Sequence, residues 1–92
     1  MPYYVYIMTN YNNTVTYTGV TNDLQRRVNE HKSGKIAGFT KRYKIKKLIY
    51  AEKLESIKTA IIREKQIKNL SRIRKKAMID FVNPEWEEIQ PF

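Results

Sequence analysis

An arginine and a histidine occupy positions in residues 17–31 where a plain core helix would carry Leu or Ile. Leu24 and Val28 mark the apolar stripe of that predicted helix, and at about 100° per residue Arg27 and His31 fall beside them. Because burying an unpaired guanidinium is costly, such an arginine normally faces a pocket, a partner or a phosphate. An imidazole can in addition move protons near neutral pH. The pair therefore indicates a polar pocket beside this helix.

A carboxylate occupies a comparable place in a second predicted helix, which spans about residues 56–70. Glu64 projects almost at the centre of its apolar stripe. That stripe consists of Ile57, Ala60, Ile61 and Ile67. A buried Glu64 could pair with Arg27 as a structural bridge, or it could hold one Mg²⁺, which prefers oxygen ligands and keeps several waters.

Two phenols and a glycine lie on a predicted hairpin of residues 3–8 and 15–20, joined by Asn-rich turn chemistry. Two-residue loops at 11–12 or at 12–13 both leave Tyr6 and Tyr17 on one face, because the two registers differ by an even number. Gly19 would allow close approach of backbone or substrate, or it would mark a strand bulge. Together with Arg27, His31 and Glu64, these groups suit phosphodiester hydrolysis, which needs an activated water, stabilised phosphate charge and help for the departing oxygen.

The bounds of the remaining helices and strands are predicted from residues that cap or break helices. Asn22 is the expected N-cap of the first helix, and Gly34 is its stop. Residues 33–43 read as a loop or short helical turn, and residues 45–51 as a third strand. Ser56 caps the Glu64 helix, and Ser71 caps a last helix with apolar positions Ile73, Ala77 and Phe81, which ends before Pro84. Trp86 is expected to fold back over an apolar face.

Length and composition indicate one α/β domain over residues 1–92, with a core of about residues 3–82 and a short C-terminal tail. The expected architecture is a small, mainly antiparallel three-stranded sheet flanked by helices. The 92 residues carry a net charge of +9 and no cysteine, which excludes disulfides and thiolate chemistry. No signal peptide or membrane-spanning run is visible, so a cytoplasmic protein without a membrane partner is expected.

The positive charge favours a polyanionic partner, most often nucleic acid. Lys and Arg are concentrated in residues 63–76, where Glu64 is the only acid, while the tail from Asp80 carries acids alone. Individually these cations suit a solvated surface, and collectively they suit a track for phosphates. The candidate track consists of Lys41, Arg42, Lys68, Arg72, Lys75 and Lys76. Phe39 and Tyr43 could stack on bases or simply pin their loop.

The ordered set of segments resembles the GIY-YIG nuclease superfamily, in particular its small stand-alone members. Tyr-Val-Tyr at 4–6 and Tyr-Thr-Gly at 17–19, ten residues apart, resemble the two halves of the signature. Residues 23–31 resemble the helix that follows, and residues 60–68 resemble the later acidic helix. Tyr4 stands in place of the first glycine, and Thr18 in place of the second isoleucine; neither change removes a group expected to do chemistry.

The resemblance implies metal-dependent endonuclease cleavage of DNA. By it, Tyr17 is the catalytic phenol, Tyr6 is its supporting partner, and Arg27 holds the scissile phosphate. His31 is a proton partner of Tyr17 or a phosphate contact, and Glu64 binds a single Mg²⁺ or Mn²⁺. Substrate contacts are expected from Gly19, Lys41, Arg42 and Lys68.

Two other functions compete with the nuclease. A nucleic-acid-binding module on the same scaffold with little turnover would bind in a salt-sensitive way, indifferent to Glu64→Ala or metal. A protein-interaction domain would dock its basic helices on an acidic protein, and would not bind nucleic acid near physiological salt. Only the nuclease needs a carboxylate at position 64 facing a phosphate.

Overall fold

The central element is a three-stranded antiparallel sheet in the order β2-β1-β3, with helices packed around it, as the sequence predicts. The computed structural model describes residues 1–36 and 38–92; Ala37, inside the predicted loop of residues 33–43, lies outside the described residues. The strands are β1 Tyr3–Thr9, β2 Thr16–Thr21 and β3 Lys47–Leu54. The helices are α1 Leu24–Lys32, α2 Phe39–Arg42, α3 Ile57–Lys68 and α4 Arg72–Val82.

The sheet buries both faces, and each face has its own apolar cluster. On one face Tyr6 and Met8 of β1 pack with Leu24 and Val28 of α1. On the other face Val5 and Ile7 pack with Ala60 and Ile67 of α3 and Ile79 of α4. Because successive side chains of a strand point to opposite faces, the alternation of β1 assigns its residues to the two clusters. The phenol of Tyr6 therefore lies on the face of the sheet that packs against α1.

The hairpin loop is longer than the predicted two residues. Pairing ends at Thr9 and Thr16, so residues 10–15 form the connection. The Asn10 side chain holds it closed by accepting hydrogen bonds from the backbone N–H groups of Thr14 and Val15, and Asn13 adopts a φ of 60°. The strand register is nevertheless that of a loop centred on residues 12 and 13, which is one of the two predicted registers.

The ends of α1 show one correction to the sequence analysis. Asp23, not Asn22, is the N-cap: its carboxylate accepts a hydrogen bond from the Arg26 N–H. The Thr21 hydroxyl accepts a hydrogen bond from the Asp23 N–H, and this contact places Asp23 at the cap one residue later than predicted. Gly34 ends the helix as expected, with a φ of 74°, a left-handed conformation that glycine adopts without strain.

The predicted third strand begins too early and ends too soon. Strand β3 runs over Lys47–Leu54, whereas residues 45–51 were expected. Ile45 is buried before the strand starts, and a register irregularity near Ile7 and Met8 interrupts the pairing with β1. The consecutive charged residues Glu52 and Lys53 still belong to the strand: Glu52 has an ion partner, Arg63, on α3, and pairing with β1 continues to Leu54.

The caps of α3 and α4 are the predicted ones, since the Ser56 and Ser71 hydroxyls accept hydrogen bonds from backbone N–H groups three residues on. The apolar faces differ from prediction. Ala60 and Ile67 are buried, but Ile57 and Ile61 are 46% and 38% exposed.

The predicted apolar face of α4 is wrong. Ile73 is 82% exposed and Phe81 is 89% exposed, while Ile79 is fully buried with Met78 partly buried beside it. Apolar residues fall on two faces of this helix, and the sequence pattern alone cannot choose between them. The tertiary contacts choose the face that meets β3, and Trp86 folds back onto the same cluster as predicted.

The chain after α4 passes from one face of the sheet to the other along β3. Trp86 packs in the α3–α4 cluster and donates a hydrogen bond to Asp80, 2.6 Å away. Ile89 packs in the α1 cluster, and its N–H donates to the Leu48 carbonyl at 2.9 Å. The tail therefore covers the β3 edge and adds to the core beyond residue 82. In the described part of the chain, the helices are all too short or too polar to cross a bilayer.

Candidate active site

Three aromatic rings meet on the α1 side of the hairpin, and they belong to Tyr6, Tyr17 and His31. The Tyr6 hydroxyl lies 3.1 Å from His31 Nε2. The Tyr17 ring centroid is 6.3 Å from that of Tyr6 and 5.4 Å from that of His31. Tyr6 and His31 are 1% and 3% exposed, whereas Tyr17 is half-buried. The predicted pairing of the two phenols on one face is confirmed, and of the two Tyr17 is the one that solvent can reach.

Gly19 makes room for the Tyr6 ring. The two residues are directly opposite in the β1–β2 register, and a Cβ on Gly19 would lie 2.5 Å from the Tyr6 hydroxyl oxygen and 2.6 Å from its Cζ. The close approach that the sequence predicts at Gly19 is thus made by a side chain of the same hairpin. The sheet irregularity lies between β1 and β3, so the alternative of a bulge at Gly19 is wrong.

Burial governs the protonation of the inner pair. It raises the pKa of the Tyr6 phenol far above its ordinary value; Tyr17 and Glu64 raise the pKa further, and the Arg27 guanidinium opposes the shift. Burial also lowers the pKa of His31, and Arg27 lowers it further. At neutral pH the pair is therefore a neutral phenol hydrogen-bonded to a neutral imidazole. The same influences show that Arg27 and Glu64 both lie within electrostatic range of Tyr6.

Arg27 and Glu64 do not neutralise each other. Within residues 1–36 and 38–92, Arg27 has an ion pair with Glu30 on its own helix at 3.3 Å, and Glu64 has one with Lys68 at 3.5 Å. Both are contacts within one or two turns of a helix, which are worth only a few tenths of a kcal/mol, about 0.2–0.5. The alternative in which Arg27 and Glu64 form a structural bridge is therefore wrong. Each is held only by a weak contact on its own helix, and each acts electrostatically on Tyr6.

The Glu64 carboxylate is suited to a metal ion that takes most of its ligands from elsewhere. Its side chain is 17% exposed, so it is accessible yet partly desolvated. Over the described residues, three or more His, Asp or Glu side chains nowhere gather into a site that could enclose a metal. A single carboxylate fits Mg²⁺, which usually binds proteins through one or two carboxylates and keeps waters and phosphate oxygens as its other ligands.

The expected substrate contacts on α2 stand apart from this group. Lys41 and Arg42 are exposed on a helix of one turn. The Arg42 guanidinium lies 5.6 Å from the Tyr43 ring, and the Tyr43 and Phe39 ring centroids are 4.8 Å apart. The two rings contact each other, which supports the loop-pinning alternative. In the part of the chain described, hydrogen bonds and ion pairs do not join Lys41 or Arg42 to the aromatic group, whereas Lys68 touches Glu64.

Arg63 has a role that sequence reasoning missed. Its guanidinium donates hydrogen bonds to both carboxylate oxygens of Glu52 on β3, with Nε–Oε1 and Nη2–Oε2 distances of 2.9 Å and 2.8 Å. The Tyr50 hydroxyl donates to the same carboxylate. This fork joins α3 to β3 one residue before Glu64, so it sets the rotation of the helix that presents Glu64. The signal was present as the spacing of Tyr50 and Glu52, which puts both on one face of a strand.

Thr18 departs from the isoleucine of the family signature in an unfavourable place. It pairs with Ile7 and is 4% exposed, and in the described structure its hydroxyl oxygen is buried without a hydrogen-bond partner. The departure adds no contact to the aromatic group.

Comparison with known proteins identifies the family. The model of the GIY-YIG catalytic domain matches residues 2–77. A UPF0213 protein of Natronomonas pharaonis is 36% identical over 77 residues, covering 84% of this chain and 89% of the relative. A UPF0213 protein of Syntrophus aciditrophicus is 41% identical over 83 residues, covering 89% and 93%. The solution NMR structure of a UPF0213 protein from Bacillus halodurans is 32% identical, with a TM-score of 0.61 and coverage of 95% of this chain and 92% of that one. The chain belongs to the GIY-YIG family.

Proposed function

We propose that this chain is a metal-dependent endonuclease that hydrolyses phosphodiester bonds of DNA. The observation that carries the proposal is that Arg27 and Glu64 both lie within electrostatic range of Tyr6 without pairing with each other. A scaffold that only bound nucleic acid would gain nothing from a partly buried carboxylate among its cations. A reacting phosphate needs both charges, one to hold its oxygens and one to hold a cation.

The roles of the protein groups follow from their exposure. Tyr17 is the accessible phenol and exchanges a proton with the attacking water. Tyr6 stays protonated and fixes the orientation of His31. His31 is too deeply buried to touch a phosphate, so of its two expected roles the proton partner of Tyr17 is the one that its position supports. Arg27 holds the non-bridging oxygens of the scissile phosphate, a task to which its planar donors are suited.

Glu64 would hold one Mg²⁺ or Mn²⁺, which would stabilise the charge that develops on the phosphate and the departing oxygen. The carboxylate contributes one ligand, and waters and phosphate oxygens supply the rest. This division agrees with a site that has a single acid. The contact with Lys68 is a weak one and yields to a divalent cation at modest electrostatic cost.

The test is a cleavage panel of supercoiled, duplex, branched and single-stranded DNA, with Mg²⁺, with Mn²⁺ and with chelator. Wild type is compared with Arg27→Ala and Tyr17→Phe. Arg26→Ala and Tyr11→Phe are matched controls, because both side chains are exposed and lie outside the aromatic group. The proposal expects cutting that requires metal and falls by about 100-fold or more in Arg27→Ala but not in Arg26→Ala.

Three outcomes would contradict the proposal. Equal cutting by wild type and Arg27→Ala would indicate a contaminating nuclease. Tight binding of DNA with no cutting under any metal would favour the binding module. No binding of any nucleic acid near physiological salt would favour the protein-interaction domain. If Tyr17→Phe cut DNA at the wild-type rate across pH, Tyr17 would have no role in proton transfer, and the rest of the proposal would be unaffected.

A further inference from the structure

Helix α4 turns a lysine inward and apolar residues outward. Lys75 is half-buried, whereas Ile73 is 82% exposed on the opposite side of the helix. Burying a lysine side chain is unfavourable unless its charge has a use or a partner. Within residues 1–36 and 38–92, Lys75 has no carboxylate within ion-pairing distance and no hydrogen-bond acceptor for its ammonium group. The inward lysine therefore presents a cation that has no partner among the described residues.

Two further cations surround this lysine. Lys75 has Arg72 and Lys68 close enough that both lower the pKa of its ammonium group, after the larger effect of burial. Arg72 donates a hydrogen bond to the Thr14 carbonyl of the hairpin loop at 3.3 Å, which holds its guanidinium across the space between α4 and the hairpin. We call Lys68, Arg72 and Lys75 the junction cluster, because they follow the chain from the end of α3 into α4. Lys68 faces the Glu64 carboxylate, whereas Arg72 and Lys75 have no ion pair within residues 1–36 and 38–92, so a bound anion would offset the repulsion between these two cations.

An open cleft gives an anion access to Arg72 and Lys75, the two members of the cluster that line it. Its volume is about 280 Å³, and it lies between α4, the hairpin and the tail. Its lining comprises Asn13, Thr16, Arg72, Lys75, Lys76, Asp80, Pro84, Glu85 and Trp86. The carboxylate of Asp80 is occupied, since it accepts hydrogen bonds from Lys76 and from Trp86, both at 2.6 Å. Asp80 thus neutralises Lys76, and Glu85 is the other acid in the lining. Arg72 and Lys75 have no ion pair with either acid in the described part of the chain.

The junction cluster also begins at the candidate catalytic carboxylate. Lys68 Nζ lies 3.5 Å from Glu64 Oε2, so this lysine borders the proposed position of the scissile phosphate. Arg72 and Lys75 follow it along the chain, in the first turn of α4. A strand whose scissile phosphate sits near Arg27 and Glu64 can therefore continue over Lys68 toward Arg72 and Lys75.

We propose that Lys68, Arg72 and Lys75 form a binding subsite for a backbone phosphate of DNA next to the one that is cleaved. The proposal rests on the proposed nuclease function for its choice of DNA and for the position of the scissile phosphate. It assigns to α4 a contact with the substrate strand. The rotation that packs Ile79 into the core of α3, α4 and the sheet also turns Lys75 toward the cleft.

The test measures DNA binding rather than cleavage, and it uses the Glu64→Gln protein so that the substrate stays intact. The dissociation constant of a short DNA duplex is measured at several salt concentrations. Each phosphate contact contributes about 0.9 to the slope of log K against log salt. Lys75→Gln should lower the slope by about 0.9, and if the two lines meet at 1 M salt it should weaken binding about fivefold at 0.15 M.

Lys58→Gln is the matched control, since it removes the same charge from an exposed position on the first turn of α3, away from the cleft. Arg72→Gln is a second test, and the Tm of each protein checks that it is folded. The subsite is supported if the slope of log K against log salt falls in Lys75→Gln and Arg72→Gln while Lys58→Gln keeps its slope. Slopes and affinities equal to those of Lys58→Gln overturn it.

The two proposals fail separately. If Lys75→Gln lowers the salt slope but the unmodified protein cuts no DNA, the subsite proposal is supported and the nuclease proposal is not. If the protein cuts DNA and Lys75→Gln binds as the control does, the nuclease stands and the subsite does not. If none of these proteins binds DNA at low salt, the subsite proposal is wrong.

Discussion

Replacing Gly19 by alanine should move the Tyr6 ring and unsettle the whole aromatic group. The new Cβ would lie 2.5, 2.6 and 2.9 Å from the Tyr6 hydroxyl oxygen, Cζ and Cε1. Since ordinary contacts are about 3.5–4.0 Å, the ring would have to shift by roughly 1 Å. It cannot do so freely, because it is 1% exposed and lies 3.1 Å from His31 Nε2.

The expected loss of stability has two parts. Forcing an extra methyl group into a packed region costs about 1–3 kcal/mol. Loss of the Tyr6–His31 hydrogen bond adds about 0.5–1.5 kcal/mol. The total of about 2–4 kcal/mol should appear in denaturant unfolding, and each kcal/mol lowers the Tm by about 4–8 °C for a domain of this size.

A double-mutant cycle with Tyr6→Leu identifies the source of the loss. If the Tyr6 ring is the obstacle, Gly19→Ala should cost less than about 0.5 kcal/mol once that ring has been removed, so the two changes are strongly non-additive. Gly34→Ala is the control, because a Cβ there meets nothing within 4 Å and only the φ of 74° is strained. The reasoning is refuted if Gly19→Ala destabilises Tyr6→Leu as much as it destabilises wild type.

Three further predictions concern stability. The pKa of His31 is lowered from 6.5 in the native protein, so below that pH the unfolded chain takes up a proton that the native protein does not. Stability should therefore fall as the pH drops below about 6.5, and the Tm of His31→Gln should fall less over that range. Arg63→Ala leaves the Glu52 carboxylate, 24% exposed, without its ion partner and should cost about 1–3 kcal/mol in urea unfolding, with Arg63→Lys recovering only part because it cannot bind both oxygens. Thr18→Val removes a buried hydroxyl without a hydrogen-bond partner and should raise stability by about 1–2 kcal/mol; an unchanged or lower unfolding midpoint would show that the hydroxyl is satisfied in solution.

The sequence predicts well what short-range patterns decide. Alternation in β1 assigns Tyr6 to the face of Tyr17, and serine at positions 56 and 71 caps two helices as expected. The hairpin loop is longer than predicted, but the predicted faces of Tyr6 and Tyr17 are still correct. A register shift by an even number of residues leaves each side chain on the same face of the sheet. These features depend on neighbours along the chain, so local chemistry is enough to fix them.

The sequence predicts poorly what distant contacts decide. Helix α4 has apolar residues on two faces, and its burial through Ile79 rather than Ile73 depends on β3 and the returning tail. The fork of Arg63 on Glu52 joins residues eleven positions apart in different elements. For the same reason the inward position of Lys75 is invisible in the charge pattern, which shows a basic helix without showing which cations share a cleft.

The central claim is that the separated charges of Arg27 and Glu64 serve phosphodiester cleavage, and the most direct test is the single-turnover cleavage rate of Glu64→Gln. The measurement uses saturating DNA and Mg²⁺ on the substrate that wild type cuts fastest, and Lys58→Gln serves as a surface control. Because glutamine keeps the shape but loses the anionic ligand, the rate should fall at least 100-fold while DNA affinity stays within about threefold. Cleavage by Glu64→Gln at the wild-type rate would contradict the account.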